Sequence, residues 1–326
     1  VKLIIKHFYE STFFRERHYV FDAPKDKFVF DVSHQCYPHK VLTGRASGFL
    51  GEMSDMNAIS GYSSPAESPE YDNFEVGHTS TSISLATGLQ KARDIKGTHE
   101  NIIAIIGDGS LSGGEAFEGL DEASELGTGI IIVVNDNEMS IAENHGGIYK
   151  NLRALRENRG TCQHNWFKAW GFEYKYLEEG NDVEKLIEVF RSVKDTDKPT
   201  VVHIHTEKGH GFAPAVANKE AWHYGAPFNP ADGSRPEMPA IETYEQLYSN
   251  WMLREMKLDP TLIAVTAGTP SAAGFSPDKR KEAGAQHIDM GIAEEQAVAM
   301  ISGMAKGGLR PVWTVYSTFI QRTYDQ

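Results

Sequence analysis

Two short apolar runs with an amphipathic segment between them are the clearest pattern in the chain. The runs are Ile102 to Ile106 and Ile130 to Val134. Continuous apolar runs of this length are typical of strands buried on both faces of a sheet. Between them, apolar residues recur at helical spacing at Ala116, Phe117, Leu120 and Ala123. The pattern therefore predicts a strand, a helix and a second strand.

Polar residues at the junctions set the limits of this unit. Ser112 is placed to cap the helix, and Gly127 is placed to end it in the left-handed conformation. A crossover of this kind joins parallel strands with a right-handed connection, so both strands end at the same edge of the sheet. We expect Asp108 and Asn137, which follow the two strands, to converge at that edge.

Similar patterns predict elements on both sides of this unit. Residues 1–27 are predicted to be helical, with a turn-like stretch at Asp22 to Asp26. Residues 46–76 are predicted to form a long loop. Small hydroxyl residues in Gly77 to Ser82 are placed to cap a helix that ends near Gly97. Further strands are predicted at Phe28 to Val32 and Thr200 to His205, and an amphipathic helix at Asp182 to Val193.

A second strand-helix unit is predicted towards the end of the chain. A helix is expected at Ile241 to Met256, with Tyr244, Leu247, Trp251 and Met252 in the core. Strands are expected at Leu262 to Thr266, Gln286 to Met290 and Pro311 to Tyr316, with a helix at Ala293 to Lys306. The proline-rich residues 213–239 are interpreted as a linker between domains 1–212 and 240–326. The predicted class is α/β, with parallel sheets flanked by helices.

Composition narrows the classes of partner. The chain has 326 residues, 40% of them hydrophobic, and a net charge of −13. Such a charge disfavours nucleic acid or an anionic membrane as a general partner. Only Cys36 and Cys162 occur, which favours a reducing cytoplasm. Neither a membrane-spanning run nor a signal-peptide cleavage site is apparent in the sequence.

The predicted strand edge has the chemistry of a metal-diphosphate site. A carboxylate and an amide oxygen are ligands that suit Mg²⁺, and Gly107 and Gly109 allow a diphosphate to approach the backbone. The spacing matches neither a dinucleotide fingerprint nor a P-loop. His34, His39, Lys40 and Arg45 lie beyond another strand end, where they could supply positive charge to a diphosphate. An ordinary strand-end turn with surface charges remains the alternative.

Longer stretches resemble a known family. GDG followed by NDN resembles the thiamine-diphosphate motif of transketolase-like enzymes, and NDNEMSIAEN looks like that of 1-deoxy-D-xylulose-5-phosphate synthases. DVSHQCYPHKVLTGR, GHTSTSIS and the segment from DMGIAEEQ to the end resemble the same family. The resemblance implies a thiamine-diphosphate-binding fold in two domains, with thiamine diphosphate and Mg²⁺ as cofactors.

The resemblance also assigns residues to roles. It implies Asp108, Asn137 and Met139 as metal ligands and Tyr316 and Arg322 as substrate-facing. It implies Glu294 and His78 as catalytic, Glu294 by activating thiamine through a hydrogen bond to the pyrimidine ring. The implied cofactor-binding residues are His34, Gly77, His78, Thr79, Gly107, Asp108, Gly109, Ser110, Asn137, Met139, Lys208, Phe212, Glu294 and Phe319. From residues alone, Lys208 is equally well a solvated surface charge, and Glu294 an acid that complements a helix dipole.

The implied reaction joins pyruvate to glyceraldehyde 3-phosphate with loss of CO₂, in a homodimer whose cofactor bridges the two domains. A transketolase-type transfer between other sugars and an inactive cofactor-binding paralogue are the alternatives. The family continues beyond Gln326, and Glu294-Glu295-Gln296 replaces its Glu-Gln-His. We therefore expect a truncated, divergent member with an incomplete second domain.

Overall fold

The structure is a computed structural model that describes residues 19–49, 59–223, 227–229, 231–236 and 241–326. Five parallel strands form the first sheet, in the order β1-β2-β3-β5-β4. Its strands are β1 Lys27–Phe30, β2 Ile102–Gly107, β3 Ile131–Asp136, β4 Glu173–Leu177 and β5 Thr200–His205. Both faces are covered by helices, as expected for a parallel sheet.

The helices that accompany this sheet are α1 Tyr37–Lys40, α2 Ser82–Lys96, α3 Gly114–Leu126, α4 Ile148–Glu157, α5 Trp166–Ala169, α6 Val183–Arg191 and α7 Ala213–Ala217. Alternation along β2 divides the core into two layers. Ile102, Ala104 and Ile106 pack in the cluster that includes α2, α3 and α4. Ile103 and Ile105 pack on the opposite face, in the cluster that includes α6.

The predicted strand-helix-strand unit is confirmed, because β2 and β3 pair in parallel with α3 between them. Gly97 and Gly127 end α2 and α3 with φ of 66° and 65°, as predicted. The predicted cap at Ser112 is wrong. Gly113 precedes the first residue of α3, and no side chain caps that helix. Strand β4 had no counterpart among the sequence predictions.

The predicted helix over residues 1–27 falls largely outside the described residues, which begin at Tyr19. A helical pair at Tyr19 and Val20 is followed by a turn before β1. The turn predicted at Asp22 to Asp26 is confirmed, because Asp26 accepts hydrogen bonds from the backbone of Asp22 and Asn101 and so closes it. The helical prediction is wrong at Lys27, which begins β1.

The second sheet has three parallel strands in the order β7-β6-β8. Its strands are β6 Leu262–Thr266, β7 His287–Asp289 and β8 Arg310–Trp313, and its helices are α8 Tyr244–Met256, α9 Pro277–Ala283 and α10 Glu294–Lys306. The predicted core face of α8 is largely wrong. Tyr244 is 89% exposed, and Leu247 and Trp251 are also exposed. Met252, Leu253 and Met256 pack with β6 instead.

The described parts of residues 213–239 pack against both domains. Phe212, Trp222 and Phe228 form an aromatic cluster with ring centroids 4.7 to 5.5 Å apart. Glu220 forms an ion pair with Arg280 at 2.8 Å and accepts a hydrogen bond from Ser271. This segment therefore contacts the second domain directly. Across the described ranges, helices fall short of the length and apolarity needed to cross a membrane.

Candidate active site

The ends of β2 and β3 bring two polar turns together. Gly107 and Asn135 are partners in the parallel register, so the turns that follow lie side by side. A Cβ added at Gly109 would come within 2.6 Å of the Ser140 Cβ. Only a residue without a side chain allows so close an approach of the two turns. The turn carrying Asp108 therefore contacts the turn that carries Asn137.

Asp108 is a buried carboxylate with an excess of negative charge around it. Burial raises its pKa well above the usual value, and the nearby Asp136 carboxylate raises it further. Hydrogen bonds from Asn144, whose Nδ2 lies 2.6 Å from Oδ2, and from the backbone offset this only in part. A cation beside Asp108 would stabilise the ionised form. Asn144 was not among the site residues predicted from the sequence.

The donor set at this edge suits a magnesium ion held partly by other oxygens. The Asn137 side-chain oxygen accepts from the Met139 amide at 3.2 Å, which forms a tight turn beside Asp108. No group of three or more His, Cys, Asp or Glu residues within the described ranges could hold a metal. Mg²⁺ commonly binds through one or two carboxylates plus phosphate and water oxygens. The residues present fit that arrangement.

The negative charge of Asp136, which lies behind this turn, is offset by its own partners. Its fully buried carboxylate lies 2.9 Å from His203 Nε2 and also forms an ion pair with Arg156. Burial alone would raise its pKa, but hydrogen bonds from His203 and Arg156 lower it overall. The Tyr174 hydroxyl lies 2.8 Å from the other nitrogen of His203. This network, which the sequence did not indicate, holds the strand end in place.

The start of α2 is capped by the carboxylate of Asp31, the residue that follows β1. The Asp31 side chain accepts hydrogen bonds from the amides of Ser80 at 2.9 Å and Ser82 at 3.0 Å. Thr81 precedes the first helical residue, and its hydroxyl makes no capping bond. The predicted capping by local hydroxyls is therefore wrong. Burial raises the pKa of Asp31, and these hydrogen bonds lower it in part.

His78 and Glu294 meet across the two domains. The Nε2 atom of His78 lies 3.5 Å from Oε1 of Glu294, which is 2% exposed and begins α10. The Phe319 ring packs edge-on against the His78 ring at 4.7 Å. On its other side, His78 Nδ1 lies 3.1 Å from the Thr79 hydroxyl. Three residues predicted for one cofactor, Thr79, Glu294 and Phe319, thus each contact His78.

Two further contacts join the domains beside this cluster. The Arg322 guanidinium donates to the Thr79 carbonyl and lies 3.7 Å from Glu115. The Ser112 hydroxyl donates to the Ile292 carbonyl at 2.9 Å. Because Ile292 lies just before α10, this bond ties the start of that helix to residues 107–112, called the GDG turn below.

Several polar atoms at this boundary are buried without a hydrogen-bond partner among the described residues. They are His78 Nε2, Glu294 Oε2, Arg322 Nη1 and Asn144 Oδ1. Buried polar groups are normally hydrogen-bonded, so each such atom requires an explanation. These atoms lie between the GDG turn and α10. A ligand that is polar at both of its ends could form hydrogen bonds with them there. The residues present therefore fit a cofactor that spans the two domains.

Two further predicted site residues, Lys208 and Phe212, follow β5. Lys208 donates to the Ser140 carbonyl and lies 3.2 Å from His223 Nδ1. Phe212 is buried in the aromatic cluster with Trp222. His223, within the predicted linker, was not among the sequence predictions.

Three of the predicted positions are at the turns themselves. The Ser110 carbonyl accepts from the Ser80 hydroxyl at 2.7 Å. Gly107 lies near Gln35, and Gly77 lies beside the Tyr62 ring.

Tyr316 is 52% exposed, and its ring packs against Phe319 at 5.5 Å. The side chain of His34 lies outside the described part of the structure.

The cations near His34 serve a different purpose from the one suggested by their position. Lys40 is fully buried and pairs with Glu67 at 2.7 Å. Arg45 and His39 both bind Asp72, at 2.6 and 3.1 Å. The suggestion that these three side chains provide charge for a diphosphate is wrong, because they hold the loop around residues 60–72.

Comparison with known families places the chain. A family model described as 1-deoxy-D-xylulose-5-phosphate synthase matches residues 16–165 and 158–206. The chain belongs to the 1-deoxy-D-xylulose-5-phosphate synthase family. A second family model, described as the transketolase pyrimidine binding domain, matches residues 242–326. The family predicted from the sequence is therefore confirmed.

Individual synthases match nearly the whole chain. The 1-deoxy-D-xylulose-5-phosphate synthases of Desulforudis audaxviator and Symbiobacterium thermophilum are 39% and 40% identical, over 95% of this chain and 54% and 52% of their own lengths. That of Listeria monocytogenes is 40% identical over 95% of this chain and 52% of its length. The chain thus spans about half the length of the curated relatives it matches.

Among solved structures, transketolase from Leishmania mexicana matches with a TM-score of 0.43 and 16% sequence identity, over 93% of this chain and 58% of that chain. This likeness is too distant to carry an argument about the site. The α/β class with parallel sheets flanked by helices is confirmed by the architecture itself.

Proposed function

We propose that the protein is a thiamine-diphosphate- and Mg²⁺-dependent transferase that decarboxylates pyruvate. It joins the remaining two-carbon unit to glyceraldehyde 3-phosphate, giving 1-deoxy-D-xylulose 5-phosphate. Family membership supports the reaction class. The observation that carries the proposal is the contact of His78 with Glu294 between the domains, beside buried polar atoms that the described chain leaves without hydrogen bonds.

One end of the proposed site would hold the metal and the diphosphate. Asp108, Asn137 and Met139 are the proposed metal ligands, because they lie on the two turns that meet at the edge of the first sheet. Gly107, Gly109 and Ser110 present backbone to the same place, since a side chain at Gly109 would collide with Ser140. Lys208, which contacts the Ser140 carbonyl, adds positive charge.

The other end would hold the pyrimidine ring. Thiamine diphosphate, when bound, supplies an electron sink for decarboxylation of a 2-oxo acid. Glu294 is buried with an unsatisfied Oε2, so it is suited to share a proton with a ring nitrogen. Phe319 would stack on that ring, and His78 lies against both residues.

The substrate side is proposed on Tyr316 and Arg322, with His78 and Glu294 as the catalytic residues. Arg322 has a buried Nη1 without a hydrogen-bond partner among described residues, and a guanidinium is suited to phosphate or carboxylate. The proposed cofactor contacts also include His34, Gly77, Thr79 and Phe212. The small-molecule class of substrate is consistent with the family.

The decisive experiment supplies the purified protein with thiamine diphosphate, MgCl₂, pyruvate and glyceraldehyde 3-phosphate. CO₂ release is measured together with ketose phosphate by mass spectrometry. Production of both supports the proposal, and absence of both overturns it. Ketose donors that react without CO₂ would instead indicate transketolase-type transfer. Cofactor binding without exchange of its C2 proton would indicate an inactive binding protein.

The proposal extends to the setting of the reaction. We place the protein in the cytoplasm as a homodimer that acts on small molecules rather than on nucleic acid or membranes. The net charge of −13 and the two free cysteines, Cys36 and Cys162, support this setting. Light scattering after gel filtration tests the dimer, and a mass of one chain across the micromolar range would contradict it.

A further inference from the structure

Ser80 has an unusual backbone conformation at the edge of the proposed site. Its φ is 76°, a left-handed value that non-glycine residues seldom adopt, and it is fully buried. Such a conformation persists only where surrounding contacts enforce it, and these cases concentrate at functional sites. The contacts that enforce this one are therefore informative.

Ser80 is held from three sides. Its amide donates to Asp31 Oδ1 at 2.9 Å, and its hydroxyl donates to the Ser110 carbonyl at 2.7 Å. On the third side, a Cβ at Gly113 would come within 2.1 Å of the Ser80 hydroxyl oxygen. Strand β1, the GDG turn and the start of α3 thus meet at one serine.

The residues just before Ser80 carry the contacts between the domains. The Thr79 carbonyl accepts from Arg322, and the His78 ring lies against Glu294 and Phe319. A change of φ at Ser80 would rotate the chain that precedes it relative to α2. The positions of His78 and Thr79 therefore depend on the backbone of Ser80.

Other left-handed residues support a link with the site. Of the five non-glycine residues with positive φ in the described ranges, Val32 follows Asp31 and Glu138 lies in the turn of Asn137. Arg159 and Asp195 lie away from the site, after α4 and before β5. Three of the five thus flank the proposed cofactor site.

We propose that Ser80 is a positioning residue, whose strained backbone, fixed by Asp31 and Ser110, holds His78 against Glu294. The proposal rests on the proposed function for its catalytic consequence. The contact of His78 with Glu294 is between two side chains of the protein itself, so it can be tested separately from turnover.

Two substitutions separate the strain from the hydrogen bond. Ser80→Ala removes the hydroxyl but keeps the Cβ, so the left-handed backbone remains costly while one of its restraints is lost. Ser80→Gly also removes the hydroxyl, but glycine adopts positive φ without strain. The matched control is Ser84→Ala, because the Ser84 hydroxyl likewise donates from α2 to a backbone carbonyl, that of Glu115, at 3.3 Å.

We expect Ser80→Ala to lower kcat by about ten-fold or more while the KM for pyruvate changes little. The energy of a strained backbone residue corresponds to a rate factor of about this size. The kcat of Ser80→Gly should stay within about three-fold of the wild-type value, and the kcat of Ser84→Ala should equal the wild-type value. In protein free of cofactor, the ring signals of His78 in ¹H–¹³C spectra should shift in Ser80→Ala but not in Ser80→Gly. Where Ser80→Ala does not fold, Asp31→Asn, which keeps the side-chain volume, should shift the same signals.

The proposal would be overturned if Ser80→Ala had the kcat and the His78 signals of the wild type. A greater loss of kcat in Ser80→Gly than in Ser80→Ala would also overturn it. The His78 spectra decide the positioning claim even where the wild type forms no product. A wild type without activity overturns the proposed function alone.

Discussion

Nε2 of His78 lies 3.5 Å from the Glu294 carboxylate, although the two residues belong to different domains and are matched by different family models. His78 lies before α2 in the first domain, and Glu294 is the first residue of α10 in the second. The contact brings the ends of two α/β units together. It is therefore the geometric basis of the proposed two-domain site.

Glu294→Gln should leave thiamine diphosphate bound but slow exchange of its C2 proton by roughly a hundred-fold or more, the size typical of a lost acid-base group. An amide keeps the shape of the side chain and cannot take up the proton. Binding is measured by calorimetry and exchange by NMR in D₂O. Glu295→Gln, the neighbouring acid, is the matched control, and an unchanged exchange rate in Glu294→Gln would refute the assigned role.

Asp108→Ala should abolish the Mg²⁺-dependent part of cofactor binding, because it removes the buried carboxylate at the metal edge. Calorimetric titrations with thiamine diphosphate, with and without MgCl₂, measure this dependence. Asp121→Ala makes the same change at an exposed position on α3 and should behave as the wild type. Equal affinity in Asp108→Ala and the wild type would remove Asp108 from the metal site.

Asp72→Asn should destabilise the protein at neutral pH by about 3 kcal/mol, since it leaves the half-buried Arg45 guanidinium without the buried carboxylate that pairs with it. Burial by itself raises the pKa of Asp72, but hydrogen bonds from His39 and Arg45 lower it overall. A lowered folded pKa means that this stabilisation is complete above the unfolded value, about 4, and is lost as the pH falls below it.

Urea unfolding of the wild type and Asp72→Asn between pH 7 and pH 3 tests this dependence. The difference in free energy of unfolding should narrow at the acid end. Glu70→Gln lies in the same loop at an exposed position and serves as the control. A constant difference across the whole range would show that the charge of Asp72 is not responsible.

The Glu220–Arg280 pair should couple the predicted linker to the second domain. Two hydrogen bonds of 3.0 and 2.8 Å join these partly buried side chains. A double-mutant cycle with Glu220→Gln and Arg280→Met should give a coupling energy of about 1 kcal/mol in unfolding experiments. The exposed pair Lys257–Glu282 should give a value near zero. Coupling no larger than in that control would show that the pair does not join the domains.

Local patterns in the sequence were sufficient for most elements of the fold. Apolar runs identified β2 and β3, because strands buried on both faces of a parallel sheet are mostly apolar. Gly97 and Gly127 marked helix ends because the left-handed conformation there suits glycine. The position of Asp108 beyond a strand likewise follows from chain order and the parallel register.

Periodicity was less informative where a helix carries apolar residues on more than one face. The outward position of Tyr244 and Trp251 on α8 depends on where β6 lies, which local spacing does not encode. The same holds for hydrogen-bond partners. Ser112 has the residue type of a cap, yet its hydroxyl binds the Ile292 carbonyl in the other domain.

The sequence by itself therefore determined the elements, the family and the residue types of the proposed site. Tertiary structure decided the partners: Asp31 caps α2, Asn144 binds Asp108, and His78 meets Glu294. The physical reason is the separation along the chain of the residues that interact. Strand and helix patterns arise from neighbours along the chain, whereas each of these contacts joins distant segments whose positions are set by the packing of the two sheets.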